Sequence, residues 1–94
     1  MDSFENHTQI LRIQEMEKLF ATVANTFHEG IFHPEKDAEH AEMLRTLTDY
    51  YESPLWLDDY TADERGELPP DLIRGVLSQD ALYDLLTEIA EESV

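Results

Sequence analysis

The sequence predicts an all-α protein, a small bundle of three main helices plus one short helix. Apolar residues recur at spacings of three and four along three segments, which places them on one face of a helix. Proline and glycine separate these segments. No segment shows the sustained apolar–polar alternation of a half-buried strand. The 94 residues are expected to form one domain, 1–94, with residues 1–6 and 92–94 frayed.

The first helix is predicted to run from about Thr8 to His28, and Gly30 is expected to end it. The helix is too short for the several heptads of a coiled coil, so it is interpreted as a core-facing helix. Its apolar stripe consists of Ile13, Met16, Phe20, Val23 and Phe27.

The second helix is predicted to begin at Pro34, with Asp37 in its first turn, and to end by Ser53. The end is expected there because the residue before a proline, here Pro54, is disfavoured in the helical conformation. The apolar face of this helix is predicted to contain Ala41, Leu44, Thr48 and Tyr51, flanked by Met43, Leu47 and Tyr50.

Residues 54–68 show no sustained period and are predicted to form an acidic loop. The loop contains Trp56, which is too apolar to lie free in water, so this side chain is expected to pin the loop against the bundle. From Asp58 to Glu67 the loop is expected to be solvated and rich in turns.

The segment after this loop is predicted to start with the short helix. Pro70 and the proline before it suit a first helical turn, where a missing N–H leaves no hydrogen bond unmade. Gly75 is expected to end the helix in a left-handed conformation. Arg74 is expected to pair with Asp71 or Asp80 and so to tie the short helix to its neighbour.

The last helix is predicted over residues 79–92. Ser78 is the expected N-cap, and Asp80 places negative charge in the first turn, at the positive end of the helix dipole. Leu77 and Leu82 have the spacing of a hydrophobic staple across this cap.

The composition excludes several classes of function. Twenty-two acidic and six basic residues give a formal net charge of −16, which repels nucleic-acid phosphates and anionic membrane surfaces. The absence of cysteine excludes disulfides, thiolate nucleophiles and cysteine zinc sites. The longest apolar run is three residues, too short to span a membrane, and the first residues are acidic, unlike a signal peptide. A cytoplasmic protein is therefore expected.

No catalytic or metal-binding motif is complete. The acids between residues 58 and 67 offer oxygen ligands, but the sixth residue counted from Asp59 is Glu64, where a calcium-binding EF-hand loop requires glycine. Only one carboxylate–histidine pair, Asp37 with His40, has the spacing found in di-iron bundles. No cofactor, metal site or catalytic residue is predicted. A non-enzymatic protein is favoured, and the alternative is a small metal-dependent or acid–base enzyme that uses the clustered carboxylates.

An acidic and aromatic patch is predicted to bind a basic protein partner, because aromatic residues often dominate binding surfaces. Core packing is the other interpretation of these aromatic residues, and solubility alone would also account for much of the acid. Whether the protein is a monomer or a homodimer stays open. The predicted patch consists of Tyr50, Trp56, Asp58, Asp59, Tyr60, Asp63 and Glu64.

The chain resembles the domain of unknown function 4298 family from about Ile13 to Ile89. The resemblance implies a bacterial cytosolic helical domain, and it supplies no catalytic residues. Tyr50-Tyr51, Ser53 and Trp56 support it. Its most specific residues are Asp71-Leu72, Arg74-Gly-Val-Leu-Ser78, Asp80 and Leu82-Tyr-Asp-Leu-Leu86.

Overall fold

The computed structural model describes residues 3–92, and they form four α-helices and one short 3₁₀ turn. No strand occurs within these residues, so the predicted all-α bundle is confirmed. Residues 3–6 and 92 are helical, and the rest of the predicted frayed ends lies outside the described residues. The helices are α1 (Ser3–His28), α2 (Ala38–Glu52), α3 (Pro54–Glu64) and α4 (Gln79–Glu92), and the 3₁₀ turn is Gly75–Leu77.

Helix α1 starts earlier than predicted and ends at the predicted residue, His28. Gly30 adopts a φ of +78°, the left-handed conformation that glycine reaches without a Cβ penalty. The backbone N–H of Ile31 then donates to the carbonyl of Thr26 at 3.1 Å, which closes the helix end. On the predicted stripe Ile13 and Val23 are fully buried, and the other three residues pack against the core.

Helix α2 starts at Ala38 rather than at Pro34, which lies in the preceding turn. The cause is Asp37, whose carboxylate accepts the backbone N–H groups of Glu39 and His40 at 2.9 and 3.2 Å. Asp37 is therefore the N-cap and not a first-turn residue. The helix ends at Glu52, as the following proline predicts.

The predicted loop over residues 54–68 is wrong for its first two thirds, because Pro54–Glu64 is helix α3. Ser53 caps the helix by accepting the backbone N–H of Leu55 at 3.2 Å, and Pro54 occupies the first turn. The buried face of α3 is Trp56, Asp59 and Ala62. These three residues are spaced by three, but the central one is charged, so the apolar period is hidden in the sequence.

The short α-helix predicted after Pro69 does not form. The backbone there makes turns, and only Gly75–Leu77 is helical, as a 3₁₀ turn that Gly75 begins rather than ends. Arg74 holds this turn together, because it donates to the carbonyls of Leu72 and Pro69, and the Pro69 carbonyl also accepts the backbone N–H of Leu72 at 3.1 Å. Gly75 has no positive φ, and a Cβ there would lie 3.3 Å from the Glu17 carboxylate.

One apolar core joins all the elements. Helix α1 packs against α2, α4 and the 3₁₀ turn, while α3 packs against α2 and the same turn. Phe32 folds back from the α1–α2 connection into the core, and the neighbouring Ile31 stays exposed. Within residues 3–92 no helix is both long and apolar enough to cross a membrane.

Candidate functional site

The most concentrated polar chemistry in the protein surrounds the carboxylate of Asp59, which is 0% exposed. Its Oδ1 accepts from Arg12 Nη2 at 2.5 Å and from Gln9 Nε2 at 2.9 Å. Its Oδ2 accepts from Arg12 Nε at 3.0 Å and from the Tyr50 hydroxyl at 2.5 Å. Arg12 thus binds both carboxylate oxygens, and the network joins α1, α2 and α3.

The electrostatics of this network keep Arg12 charged and Tyr50 neutral. The hydrogen bond to Asp59 raises the pKa of Arg12. Burial raises the pKa of Tyr50 strongly, and its hydrogen bond to Asp59 raises that pKa further, so the phenol remains a neutral donor. Four donors occupy the roughly four lone-pair positions of the carboxylate. The network thereby joins α1, α2 and α3 through one buried side chain.

A second polar cluster fastens the 3₁₀ turn to the helices around it. Glu17 on α1 accepts the backbone N–H of Val76 at 2.7 Å, and the Trp56 indole N–H donates to the Val76 carbonyl at 3.1 Å. Arg74 forms an ion pair with Asp63 on α3, so its predicted pairing with Asp71 or Asp80 is wrong. This ion pair ties the segment before the 3₁₀ turn to α3.

The remaining residues predicted to be structural differ in outcome. Ser78 is the N-cap of α4, since its hydroxyl accepts the backbone N–H of Ala81 at 3.4 Å. Asp80 lies in the first turn of that helix, as predicted. Pro70 starts no helix and is exposed in a turn. Both residues of the predicted staple, Leu77 and Leu82, are buried.

The seven residues of the predicted partner patch do not share one surface. Tyr50, Trp56 and Asp59 are buried, so their prediction as partner-contact residues is wrong. Tyr50 donates to Asp59, and Trp56 donates to the Val76 carbonyl, inside the protein. Asp63 is half-buried against Arg74. Three residues of the patch remain accessible to solvent. Asp58 lies near Arg12, whereas Tyr60 and Glu64 lie on the side that faces α4.

A ladder of three aromatic rings crosses from the core to the surface. Trp56 makes an edge contact with Tyr51 at 5.0 Å between ring centroids and stacks on Tyr60 at 5.1 Å. Tyr51 also lines an open groove of about 560 Å³ between α2 and α4, here called the α2–α4 groove. Its lining includes Leu44, Thr48, Tyr51, Tyr83, Leu86 and Ala90.

The α2–α4 groove contains the face of α2 that the sequence predicts to be buried. Leu47 and Tyr50, predicted to flank that face, are the residues of α2 in the core. The predicted face residues Leu44, Thr48 and Tyr51 are only half-buried, and they line the groove instead. Tyr83 on α4 is 55% exposed at the same groove. An apolar surface is thus left open where the sequence pattern indicates packing.

Acidic side chains border this groove and the end of the aromatic ladder. Glu52 and Glu91 line the groove itself. Glu64 accepts the Tyr60 hydroxyl at 3.0 Å and, together with the more distant Asp80, raises the pKa of Tyr60. All four carboxylates are on exposed residues. They are here called the acidic rim: Glu52, Glu64, Asp80 and Glu91.

The histidines and acids considered as metal ligands have other contacts. The His40 ring stacks on Phe32 with 4.9 Å between centroids, and its Nδ1 accepts the backbone N–H of His33 at 3.1 Å. His40 Nε2 lies 3.8 Å from the Asp37 carboxylate, and the contacts of the His40 ring with Phe32 and His33 hold the α1–α2 connection against α2. In the part of the chain that the structure describes, no three histidine or acidic side chains are placed to hold a metal ion.

Fold and site together define a small all-α protein in which a few side chains join separate elements through hydrogen bonds and ion pairs. These side chains are Arg12, Trp56, Asp59 and Arg74. The chain belongs to the family described as Domain of unknown function (DUF4298), whose model matches residues 13–93. This confirms the resemblance carried by the Tyr-Tyr, Trp and Arg-Gly-Val-Leu-Ser residues. No curated protein and no solved structure matches the chain.

Proposed function

We propose that this protein is a non-enzymatic interaction module that binds a basic protein partner through the α2–α4 groove and its acidic rim. One observation carries the proposal: an open apolar groove is lined by the carboxylates Glu52 of α2 and Glu91 of α4, and α4 contains no base. Helix α4 has five acidic residues and no lysine or arginine. An apolar centre with a polar border is the usual composition of a protein-binding surface.

The distribution of charge supports a role beyond solubility. Residues 51–94 contain twelve acids and two bases, whereas residues 1–50 contain ten acids and four bases. One of the two bases, Arg74, is engaged by Asp63. The negative potential therefore concentrates around α3 and α4, and it would speed the encounter with a positively charged protein.

The hydrogen bonding of the buried Asp59 carboxylate supports a non-enzymatic role. Asp59 is the one acid that is fully buried among the described residues, and its oxygens already accept four hydrogen bonds. Catalytic acids and bases need a reactive position facing a substrate. We expect the module to act in the bacterial cytoplasm, where a cysteine-free acidic protein meets basic partners.

The proposal is tested by neutralising the acidic rim with isosteric amides. The variant carries Glu52→Gln, Glu64→Gln, Asp80→Asn and Glu91→Gln. Proteins that co-purify with the wild-type chain at low salt are then compared by quantitative mass spectrometry. Basic partners should be depleted about tenfold or more with this variant, since several close charge pairs are lost at once.

A matched control removes the same number of charges elsewhere. Four exposed acids outside the rim become glutamine in that variant: Glu15, Glu29, Glu39 and Glu67. Because both variants have equal net charge, unspecific electrostatic capture falls equally in both. Partners retained by the control and lost by the rim variant support the proposal, and equal loss in both would contradict it.

A further inference from the structure

We infer that the occupant of the α2–α4 groove is an amphipathic α-helix of the partner, with apolar side chains on one face and basic side chains beside them. The inference rests on the proposed function and names the form of the partner. The groove provides the shape, its lining provides the apolar contacts, and the acidic rim provides the charge.

The length of the groove suits a helix. Its lining on α4 extends from Tyr83 to Glu91, about 12 Å along the helix axis. Side chains at positions i, i+3 or i+4, and i+7 of a helix span about 10.5 Å, so one such set matches the length of the floor.

The chemistry of the floor disfavours an extended peptide. The neutral polar groups of the lining are the hydroxyls of Thr48, Thr87, Tyr51 and Tyr83, whereas Leu44, Leu86 and Ala90 offer no side-chain hydrogen-bond donor or acceptor. An extended segment would bury unpaired backbone N–H and C=O groups against these side chains, whereas a helix pairs them internally. The described residues also form no sheet edge to which a strand could add.

Charge identifies the partner as a different, basic chain. A second copy of this protein would bring two surfaces of the same sign together, because each copy has a formal charge of −16 and an α4 without bases. Arg45, the one base on α2, is paired with Glu42 and is outside the groove lining. Lysine or arginine flanking the apolar face of a partner helix would instead meet Glu52 and Glu91.

The test uses a defined probe, a synthetic leucine–lysine peptide of about 18 residues with leucines at i, i+3, i+4 and i+7. Its control peptide has the same composition in a scrambled order without an apolar face. Fluorescence anisotropy measures the Kd of both peptides, and amide chemical shifts map the site. We expect the patterned peptide to bind about tenfold more tightly than the scrambled one and to shift Tyr51, Leu86 and Ala90.

Two groove variants and one matched control localise the binding. Tyr83→Ala removes an anchor from the floor, and Ala90→Gln fills the floor without changing charge. Leu57→Ala is the control, because Leu57 is 57% exposed, close to the 55% of Tyr83, and lies outside the groove. Each groove variant should weaken the patterned peptide about tenfold, and the control should stay within about twofold. Circular dichroism confirms that all three fold.

Each outcome separates the inference from the function on which it rests. If the patterned and scrambled peptides bind equally, the helix-in-groove inference is overturned while a basic partner is retained. The same holds if the shifts centre on a second open pocket, which is lined by the exposed residues Leu11 of α1 and Ile73 of the segment before the 3₁₀ turn. If the acidic-rim variant binds both peptides like wild type, the proposed function fails as well. Self-association that Tyr83→Ala abolishes in sedimentation would identify a second copy as the occupant and overturn the inference.

Discussion

At the scale of single residues, the buried Asp59 carboxylate joins three helices through four side-chain hydrogen bonds. Asp59 lies on α3 and accepts hydrogen bonds from Arg12 of α1, 47 residues away in the chain, and from Tyr50 of α2, 9 residues away. Such a buried ion pair stabilises little relative to apolar packing, but removing one partner is costly because the other keeps its unpaired charge. Its role is to specify which helix faces meet.

Replacing Asp59 with asparagine should therefore destabilise the protein severely. We expect the free energy of unfolding to fall by about 3 kcal/mol, the lower end for a broken buried pair, since the Arg12 side chain is 22% exposed and can regain water. Urea denaturation measures the change. Asp58→Asn alters the exposed neighbouring acid, and its effect should stay within about 0.5 kcal/mol. Equal effects of both substitutions would show that the network adds nothing.

Tyr50 should make stability fall at alkaline pH. Burial and Asp59 raise its pKa in the folded protein above the ordinary value of 10.0. Above pH 10 the unfolded chain loses this proton while the folded chain keeps it, so the unfolded state binds fewer protons and stability declines as pH rises. At neutral pH, Tyr50→Phe should cost about 1.5–3 kcal/mol, the loss of a hydrogen bond to a charged acceptor.

The same pair of proteins tests the sign of this effect. Urea denaturation between about pH 8 and about pH 11 should show the advantage of wild type over Tyr50→Phe shrinking once the pH passes about 10. Below that pH the difference should be constant. A difference that grows with pH would mean that the folded protein, and not the unfolded chain, ionises Tyr50 first.

At the scale of elements, the 3₁₀ turn depends on its neighbours more than on its own sequence. Three residues cannot sustain a helix alone, and the contacts that hold Val76 come from α1 and α3. Gly75 serves the same contact, because a larger residue would crowd the Glu17 carboxylate. The docking of this turn thus accounts for the Arg74-Gly-Val-Leu77 residues of this chain.

Glu17→Ala should loosen the 3₁₀ turn without unfolding α1. The buried Val76 N–H would lose its acceptor, so stability should fall by about 1–3 kcal/mol. Hydrogen exchange at Val76 and Leu77 should accelerate, while exchange in the middle of α1 stays unchanged. Glu15→Ala changes an exposed acid on the same helix and should leave both amides protected. Unchanged exchange at Val76 in Glu17→Ala would exclude this anchoring role.

At the scale of the whole molecule, the charge of −16 should make the protein salt-dependent. Self-repulsion destabilises the compact state, and added salt screens it. The Tm should rise as sodium chloride increases, and each 1 kcal/mol gained would correspond to about 4–8 °C for a domain of this size. Magnesium chloride at matched ionic strength should give the same shift. A larger shift with magnesium would indicate specific binding of the divalent ion instead.

Features that depend on neighbours in the chain could be predicted from the sequence. The end of α1 at Gly30, the cap at Ser78 and the apolar stripe of α4 follow from local spacing and local hydrogen bonds, so all three were predictable. The negative charge and the all-α class follow from composition and period in the same way. The apolar face of α2 was also recognisable, but the sequence did not show that this face lines an open groove.

The polar contacts and the open groove depend on how the helices pack, which local spacing does not specify. Asp59 hid the period of α3, because a charge is read as surface until Arg12 is brought to it across 47 residues. The partner of Arg74 and the exposure of Leu44 and Tyr51 likewise depend on which helices meet. Spacing along a chain specifies a helix face, but only packing determines whether that face is covered, and here α2 and α4 leave one uncovered.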